Sequence, residues 1–450
     1  MLLSAQMKLK GNGGQALSLL LSISLTALTG LAQGGPEPPA EAERKVELVS
    51  SAETPAQPER RRILERRVRR PWGLRIVDVL KFPLNQFGKA LDAGALKVEK
   101  DHALERAQDL QAAALAKGYE PLFGGLGTGS GFAFGVNIAR KNFLGTGWQL
   151  DVPIEYSTNL YAGLGVYLTV PIVPNNKVSV RTGFHYYDRP EEDFFGFGAR
   201  SAEADRSNFR LEKRLFTLAL ETRPWNNLVL GFPVSLSNSG ISEGKDNRFP
   251  GLQQQFDTSQ IPGVTGANLV SWGMFLDWDY RDDVALPSTG GRLHVEAGYF
   301  QDTGQQDFRF TRYNLEAVQY LPLDDGHVVV IRLLGLVNDE KGNTQIPLSE
   351  KTILGGRETM RGFREFRFRD DNAILFNFEY RWRIWRFADL ILFFDEGQVA
   401  AEPGDFSLSE LRSSRGIGLR FRGRESQIFR FDAGHSAEGW RYYMSFELVF

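Results

Sequence analysis

Residues 374–384 read ILFNFEYRWRI, and the fold turns on how that run is taken. Ile374, Phe376, Phe378, Tyr380, Trp382 and Ile384 occupy alternate positions, with Leu375, Asn377, Glu379, Arg381 and Arg383 between them. Successive side chains of a strand point to opposite faces, so the run is a strand with one apolar and one largely polar face. The same texture recurs along the chain. Trp148, Leu150, Val152, Ile154 and Tyr156 alternate with Gln149, Asp151, Pro153 and Glu155. Ala162, Leu164, Val166, Leu168 and Val170 alternate with Gly163, Gly165, Tyr167 and Thr169, and Leu293, Val295, Ala297 and Tyr299 with Arg292, His294 and Glu296.

A soluble two-sheet sandwich would show the same alternation. Three features favour a wall that crosses a bilayer. The strands run about ten residues, the length needed to cross at a tilt. Aromatic residues, 12% of the chain, recur near strand ends as in an interfacial girdle. The intervening segments are alternately short (172–176, 223–225, 281–290, 321–326, 386–388, 424–426) and long (188–207, 239–267, 339–373, 400–412). Short turns on one side and long loops on the other are the outer-membrane pattern. The strands expected are 119–127, 130–139, 147–158, 162–171, 177–187, 208–222, 226–238, 268–280, 291–301, 308–320, 327–338, 374–385, 389–399, 414–423, 427–434 and 441–450. That makes an all-β protein, a sixteen-stranded antiparallel transmembrane β-barrel over 119–450. A barrel this wide holds a wet lumen unless something plugs it.

The N-terminal part reads differently. Lys8 and Lys10 precede an apolar run from Ala16 to Leu28, followed by the small-residue segment Thr29–Ala32. This layout predicts a signal peptide over 1–32, cleaved after Ala32. A single membrane anchor is the competing reading, but the run is short and interrupted by serines. Gln33 stands where lipidation needs cysteine. Beyond it no run of eighteen apolar residues occurs, so membrane crossing has to be by strands. Residues 33–118 are expected to form a short periplasmic segment, part disordered and part helical. Residues 34–56 have a linker composition, the arginine-rich stretch Arg60–Arg70 suits a solvated helix face or acidic headgroups, and 99–117 favours helix.

Composition excludes several function classes. A formal charge of −2 gives no pull toward nucleic acid, and with no cysteine there is no disulfide, thiolate ligand or thiol nucleophile. His102, His185, His294, His327 and His435 are scattered without metal spacing, and no nucleophile elbow occurs. Neither an enzyme nor a cofactor is expected.

The chain ends RYYMSFELVF, with Tyr442, Met444, Phe446, Leu448 and Phe450 on one face. A terminal phenylalanine closing such a strand resembles the signal by which barrel-assembly machinery recognises bacterial outer-membrane proteins. Five further stretches point to a family. FGGLGTGSGFAFGVNIARKNFLGTGWQLDVPIEYS (123–157), DWDYRDDVALPSTGGRLHVEAGYF (277–300), ILGGRETMRGF (353–363), FFDEG (393–397) and SSRGIGLRFRG (413–423) resemble, in order, motifs of the bacterial surface antigen family. That superfamily contains BamA, TamA and the two-partner-secretion transporters.

The resemblance implies a bacterial outer-membrane location, a lipid-facing exterior and a sixth outer loop folded into the lumen. Gly355 and Gly356 would hinge that loop, since glycine tolerates positive φ. The resemblance further implies that Arg361 pairs with Asp395 of the Phe-x-Asp-x-Gly strand ending at Gly397, with Gly362 allowing close approach and Phe363 packing beside it. By composition alone, Arg361 would instead read as a solvated loop arginine. Glu379, Glu447 and Asp151 are expected lumen-facing carboxylates. Gly124, Gly125, Gly127 and Gly129 would weaken the first strand into a lateral seam, or simply permit curvature. Relatives usually carry POTRA domains that gather unfolded clients, yet 33–118 lacks their three alternating strands. The function implied is assistance to outer-membrane protein assembly or to translocation of client chains. The alternative is a passive pore or structural barrel that has lost client handling.

Overall fold

The structure, a computed structural model, describes residues 114, 117–123, 130–173, 177–304, 308–324, 326–342, 344–422 and 427–446. The expectations for the signal peptide and nearly all of 33–118 lie outside these residues. So do those for Gly124, Gly125, Gly127, Gly129, Glu447, Leu448 and Phe450, and for the side chain of Phe446.

The strands are β1 (Tyr119–Phe123), β2 (Ala133–Phe143), β3 (Trp148–Ser157), β4 (Ala162–Val173), β5 (Val178–Phe194) and β6 (Ser207–Trp225). Next come β7 (Leu228–Glu243), β8 (Gly266–Asp279), β9 (Gly290–Asp302), β10 (Arg309–Asp324) and β11 (His327–Glu340). Two short strands, β12 (Thr352–Leu354) and β13 (Phe368–Asp370), pair only with each other. The wall resumes with β14 (Asn372–Trp385), β15 (Ala388–Ala400), β16 (Arg412–Arg422), β17 (Gln427–Ser436) and β18 (Gly439–Phe446). Sixteen strands form one antiparallel sheet in chain order, and the β12–β13 hairpin lies within the long connection from β11 to β14.

The wall is inside-out relative to a water-soluble protein. Large apolar residues on one face, among them Ile154, Leu164, Phe184, Phe216, Leu218, Val234, Leu236 and Met274, are exposed. A continuous band of that kind is a lipid-facing surface. On β14 the alternate positions Ala373, Leu375 and Asn377 are buried, as is Asn372 at the strand's start, while Phe376 and Phe378 are half-exposed. The buried face is the inner one.

Long-range contacts establish the curvature. Arg361 bonds Asp395 on β15, and Arg369 bonds Glu192 on β5. Those strands stand eight places apart in the sheet, about 38 Å if it were flat. Arg441 on β18 also bonds Glu203, four residues before β6; these strands stand ten places apart, about 48 Å if flat, more than four residues and two side chains can span at roughly 25 Å. The sheet therefore curls around the loop.

The expected strand count stands, but the expected ends do not. β5 continues to Phe194 and β7 to Glu243, past the expected 187 and 238, while β6 begins at Ser207, within one residue of the expected start. The acidic run Glu191-Glu192-Asp193 reads as solvated loop. Here it stays in strand because Glu192 meets Arg369 and Asp193 meets Arg206 at 2.9 Å. The extended strand ends pack on an apolar cluster of Phe194, Phe209, Leu211, Leu252, Ile261 and Leu348.

Candidate functional site: a loop anchored inside the barrel

The hairpin β12–β13 pairs Thr352 with Asp370 and Leu354 with Phe368, and residues 355–367 form its tip. Gly355 and Gly356 open the tip with φ of 117° and 90°. A Cβ on Gly355 would lie 2.4 Å from the Arg364 carbonyl oxygen, and one on Gly356 1.7 Å from Glu365 Oε2. Both positions thus need glycine for backbone angle and for room. Thr359 Oγ1 ties the turn by donating to the Gly355 carbonyl at 3.0 Å.

Arg361, 3% exposed, stands at the far end of the tip. Its Nε and Nη2 donate to Asp395 Oδ2 at 3.0 Å and Oδ1 at 2.5 Å, a two-pronged guanidinium–carboxylate fork. Its backbone N–H also reaches Oδ2 at 3.0 Å, and Nη1 donates to Glu379 Oε1 at 2.5 Å. The guanidinium carbon sits 3.7 Å from the centre of the Phe393 ring. Asp395 is fully buried and also accepts from Asn377 Nδ2 at 2.8 Å. A buried charge with fewer partners would be unfavourable; this one is fully engaged.

Gly362 lies against the wall at β16–β17. A Cβ there would come within 2.4 Å of Ser414 Cβ and 3.0 Å of Ser436 Cβ, and the Gly362 carbonyl accepts from Ser436 Oγ at 2.7 Å. Phe363 is buried, meets Phe368 edge-on at 5.0 Å, and accepts at its carbonyl from the Tyr443 hydroxyl of β18. With Met360, Leu354, Leu375 and Val399 it forms an apolar cluster between loop and wall. Gly397 seats the hairpin's root, since a Cβ there would lie 3.0 Å from Leu354 Cδ1. In the turn after β8, Arg281 forks onto Asp279, while Asp282 accepts from the Ser288 and Thr289 amides at 2.9 and 3.1 Å.

Loop and wall geometry coincide with a sequence match. A profile of the Omp85 superfamily domain matches residues 142–432, well over half of the chain.

The chain belongs to the Omp85 superfamily.

Among solved structures, this Omp85 barrel is similar to BamA from Haemophilus ducreyi lacking POTRA domains 1–3. The two share 14% identity over 73% of this chain and 70% of that one, with a TM-score of 0.55, which shows a common fold. It is also similar to CdiB from Acinetobacter baumannii (13% identity, 73% of this chain, 58% of that one, TM-score 0.44) and CdiB from Escherichia coli (13%, 73%, 61%, 0.48). The protein is an outer-membrane β-barrel of the Omp85 superfamily, with a barrel fold in common with BamA.

Several residues that position the Omp85 loop were not singled out from sequence. Glu350 joins Lys213 of β6 at 2.5 Å and Arg312 of β10 at 3.3 Å. Arg367 joins Glu438 at 2.6 Å and donates to the Ser201 carbonyl at 2.6 Å, while Arg364 and Arg441 share Glu203. Gly434 of β17 is the wall's counterpart to Gly362, since a Cβ there would lie 2.3 Å from the Arg361 carbonyl oxygen. One signal was available. A loop carrying Leu354, Met360, Phe363, Phe366 and Phe368 is too apolar to sit in water, so its arginines need buried partners. Of the other expected carboxylates, Asp151 accepts only from Asn137 Nδ2, at 3.4 Å, among the described residues. On β18, Tyr442 and Met444 lie on the exposed face.

One acid in the tip differs from the anchor's carboxylates. Burial pushes the Glu365 carboxyl up to about 7, with Arg357 opposing the rise, and its Oε2 has no hydrogen-bond partner.

Proposed function

We propose that this barrel assists assembly of outer-membrane proteins or translocation of protein chains, through a lumen gated by the 341–371 loop and a lateral seam between its first and last strands. The observation that supports this reading is the anchoring itself. Arg361, Arg367, Arg369 and Glu350 tie one loop to β5, β6, β10, β14, β15 and the β17–β18 turn by ion pairs. A barrel meant only to conduct gains nothing from a loop fixed across its lumen, whereas a gate needs a part with a defined closed position. In this reading Arg361, Gly362, Phe363 and Asp395 hold the closed state, Gly355 and Gly356 serve as its hinge, and Gly397 supports its root. Tyr442, Met444, Phe446, Leu448 and Phe450 form the strand read by the barrel-assembly machinery during insertion. Gly124, Gly125, Gly127 and Gly129 soften the seam.

The partners are outer-membrane lipids and unfolded client chains, and the reading includes no cofactor or catalytic step. Residues 1–32 direct export, and 33–118 form a periplasmic segment without an ordinary POTRA domain. Planar-bilayer recording tests the gate. The intact protein is expected to show low, flickering conductance, and a variant lacking 339–373 a large steady one. A large open conductance in the intact protein would instead support the passive pore.

A further inference from the structure

From the loop tip toward the short-turn end, the inner face of β14–β17 carries more guanidinium than carboxylate. Glu379 accepts from Arg381 at 2.9 Å as well as from Arg361, and Asp432 accepts from Arg420 at 2.7 Å and Arg430 at 2.6 Å. Asp389 is left facing two cations. Arg422 Nη2 donates to its Oδ1 at 2.8 Å, and Arg383 Nε lies 3.9 Å from the same oxygen. Arg422 Nε is buried without a hydrogen-bond partner.

Arg381, Arg383, Arg420 and Arg422 line one concavity of about 50 Å³, in which Asp389 is the single carboxylate among the described lining residues. Leu286, Pro287 and Val328 also line it, and their apolar surface strengthens the field of the uncompensated charge. The space is small, the surplus charge is positive, and guanidinium forks are suited to oxyanions. We propose that this cluster at the short-turn mouth binds a phosphate-class oxyanion. Asp389 orients Arg383 and Arg422, and the anion takes the donors that Asp389 leaves unfilled. Free phosphate and a phospholipid headgroup at the mouth present the same group.

The test is titration of the purified full chain in neutral detergent with inorganic phosphate at constant ionic strength, followed by calorimetry, with chloride as reference. Saturable phosphate binding is expected, weakened at least about tenfold by Arg383→Gln with Arg422→Gln. The double Arg→Lys variant, which keeps charge and loses the forks, should fall between. Arg248→Gln, at the long-loop end, should bind as the parent does. Heat-modifiable migration establishes that each variant is folded. In nanodiscs, loss of the phosphate titration when phosphatidylglycerol is included identifies the headgroup as occupant, and an unchanged titration identifies the free anion. A response no different from chloride, or equal affinity in the folded double Gln variant, would overturn the proposal.

Discussion

The inner faces of β1–β4 and of β14–β17 belong to one wall and are built on different principles. Along β1–β4 the inward carboxylates Glu120, Asp151 and Glu155 lack cationic partners among the described residues. Asn137 bonds Glu120 at 2.8 Å and Asp151 at 3.4 Å. Along β14–β17, Glu379, Asp395 and Asp432 are each shared between charged or polar partners, and the loop tip is joined to them through Arg361. One sector is held by its backbone ladder. The other is also held by charge-assisted bonds in a water-poor interior, where they are strong if complete and expensive to break. The difference places rigidity where the loop docks.

Breaking the anchored sector should therefore have the largest effect. Arg361→Ala leaves Asp395 and Glu379 buried with a cation missing, and should cost roughly 3–5 kcal/mol of barrel or loop stability. The check is the temperature at which heat-modifiable migration is lost, together with protease access to 355–367.

A smaller effect should follow from pH. Burial raises the Glu365 carboxyl in the folded loop to about 7, above its ordinary value of 4.5. The folded state then holds the proton more tightly than the unfolded one. Its contribution to loop closure is fully present below pH ~4.5 and is lost as pH rises through about 7. Loop protection should weaken across that window, and Glu365→Gln should flatten the dependence, as hydrogen exchange at varied pH would read.

The least effect is expected in the other sector. Asn137→Ala removes neutral-donor bonds from a partly exposed site and should change stability by about 1 kcal/mol or less, measured as a shift of the same migration temperature. An Asn137→Ala cost equal to that of Arg361→Ala would remove the contrast between the sectors.

Much of the wall was legible in the sequence because lipid and lumen impose opposite preferences on alternate residues. ILFNFEYRWRI shows this directly. β15 shows its limit. Ile391, Phe393, Asp395 and Val399 all lie buried on the inner face, which is apolar there because the loop covers it. Alternation therefore could not say which way Asp395 points, and only the family resemblance linked it to Arg361. Strand ends failed at 188–193, where a charge run that reads as solvated is paired across the wall. Arg369 finds Glu192 177 positions away, and Arg364 finds Glu203 161 positions away. No local pattern encodes such pairs. Gly434 escaped for the same reason, since its need for glycine comes from the backbone of Arg361.

The central claim is that the loop tip is docked inside the barrel by the Arg361–Asp395 pair. The natural chain has no cysteine, so Met360→Cys supplies a single thiol at a position that is fully buried. Labelling by a membrane-impermeant maleimide should be slow in that variant and accelerate at least about tenfold when Asp395→Ala is added, corresponding to about 1.4 kcal/mol or more of lost docking. Rapid labelling of Met360→Cys alone, or equal rates with and without Asp395, would contradict it.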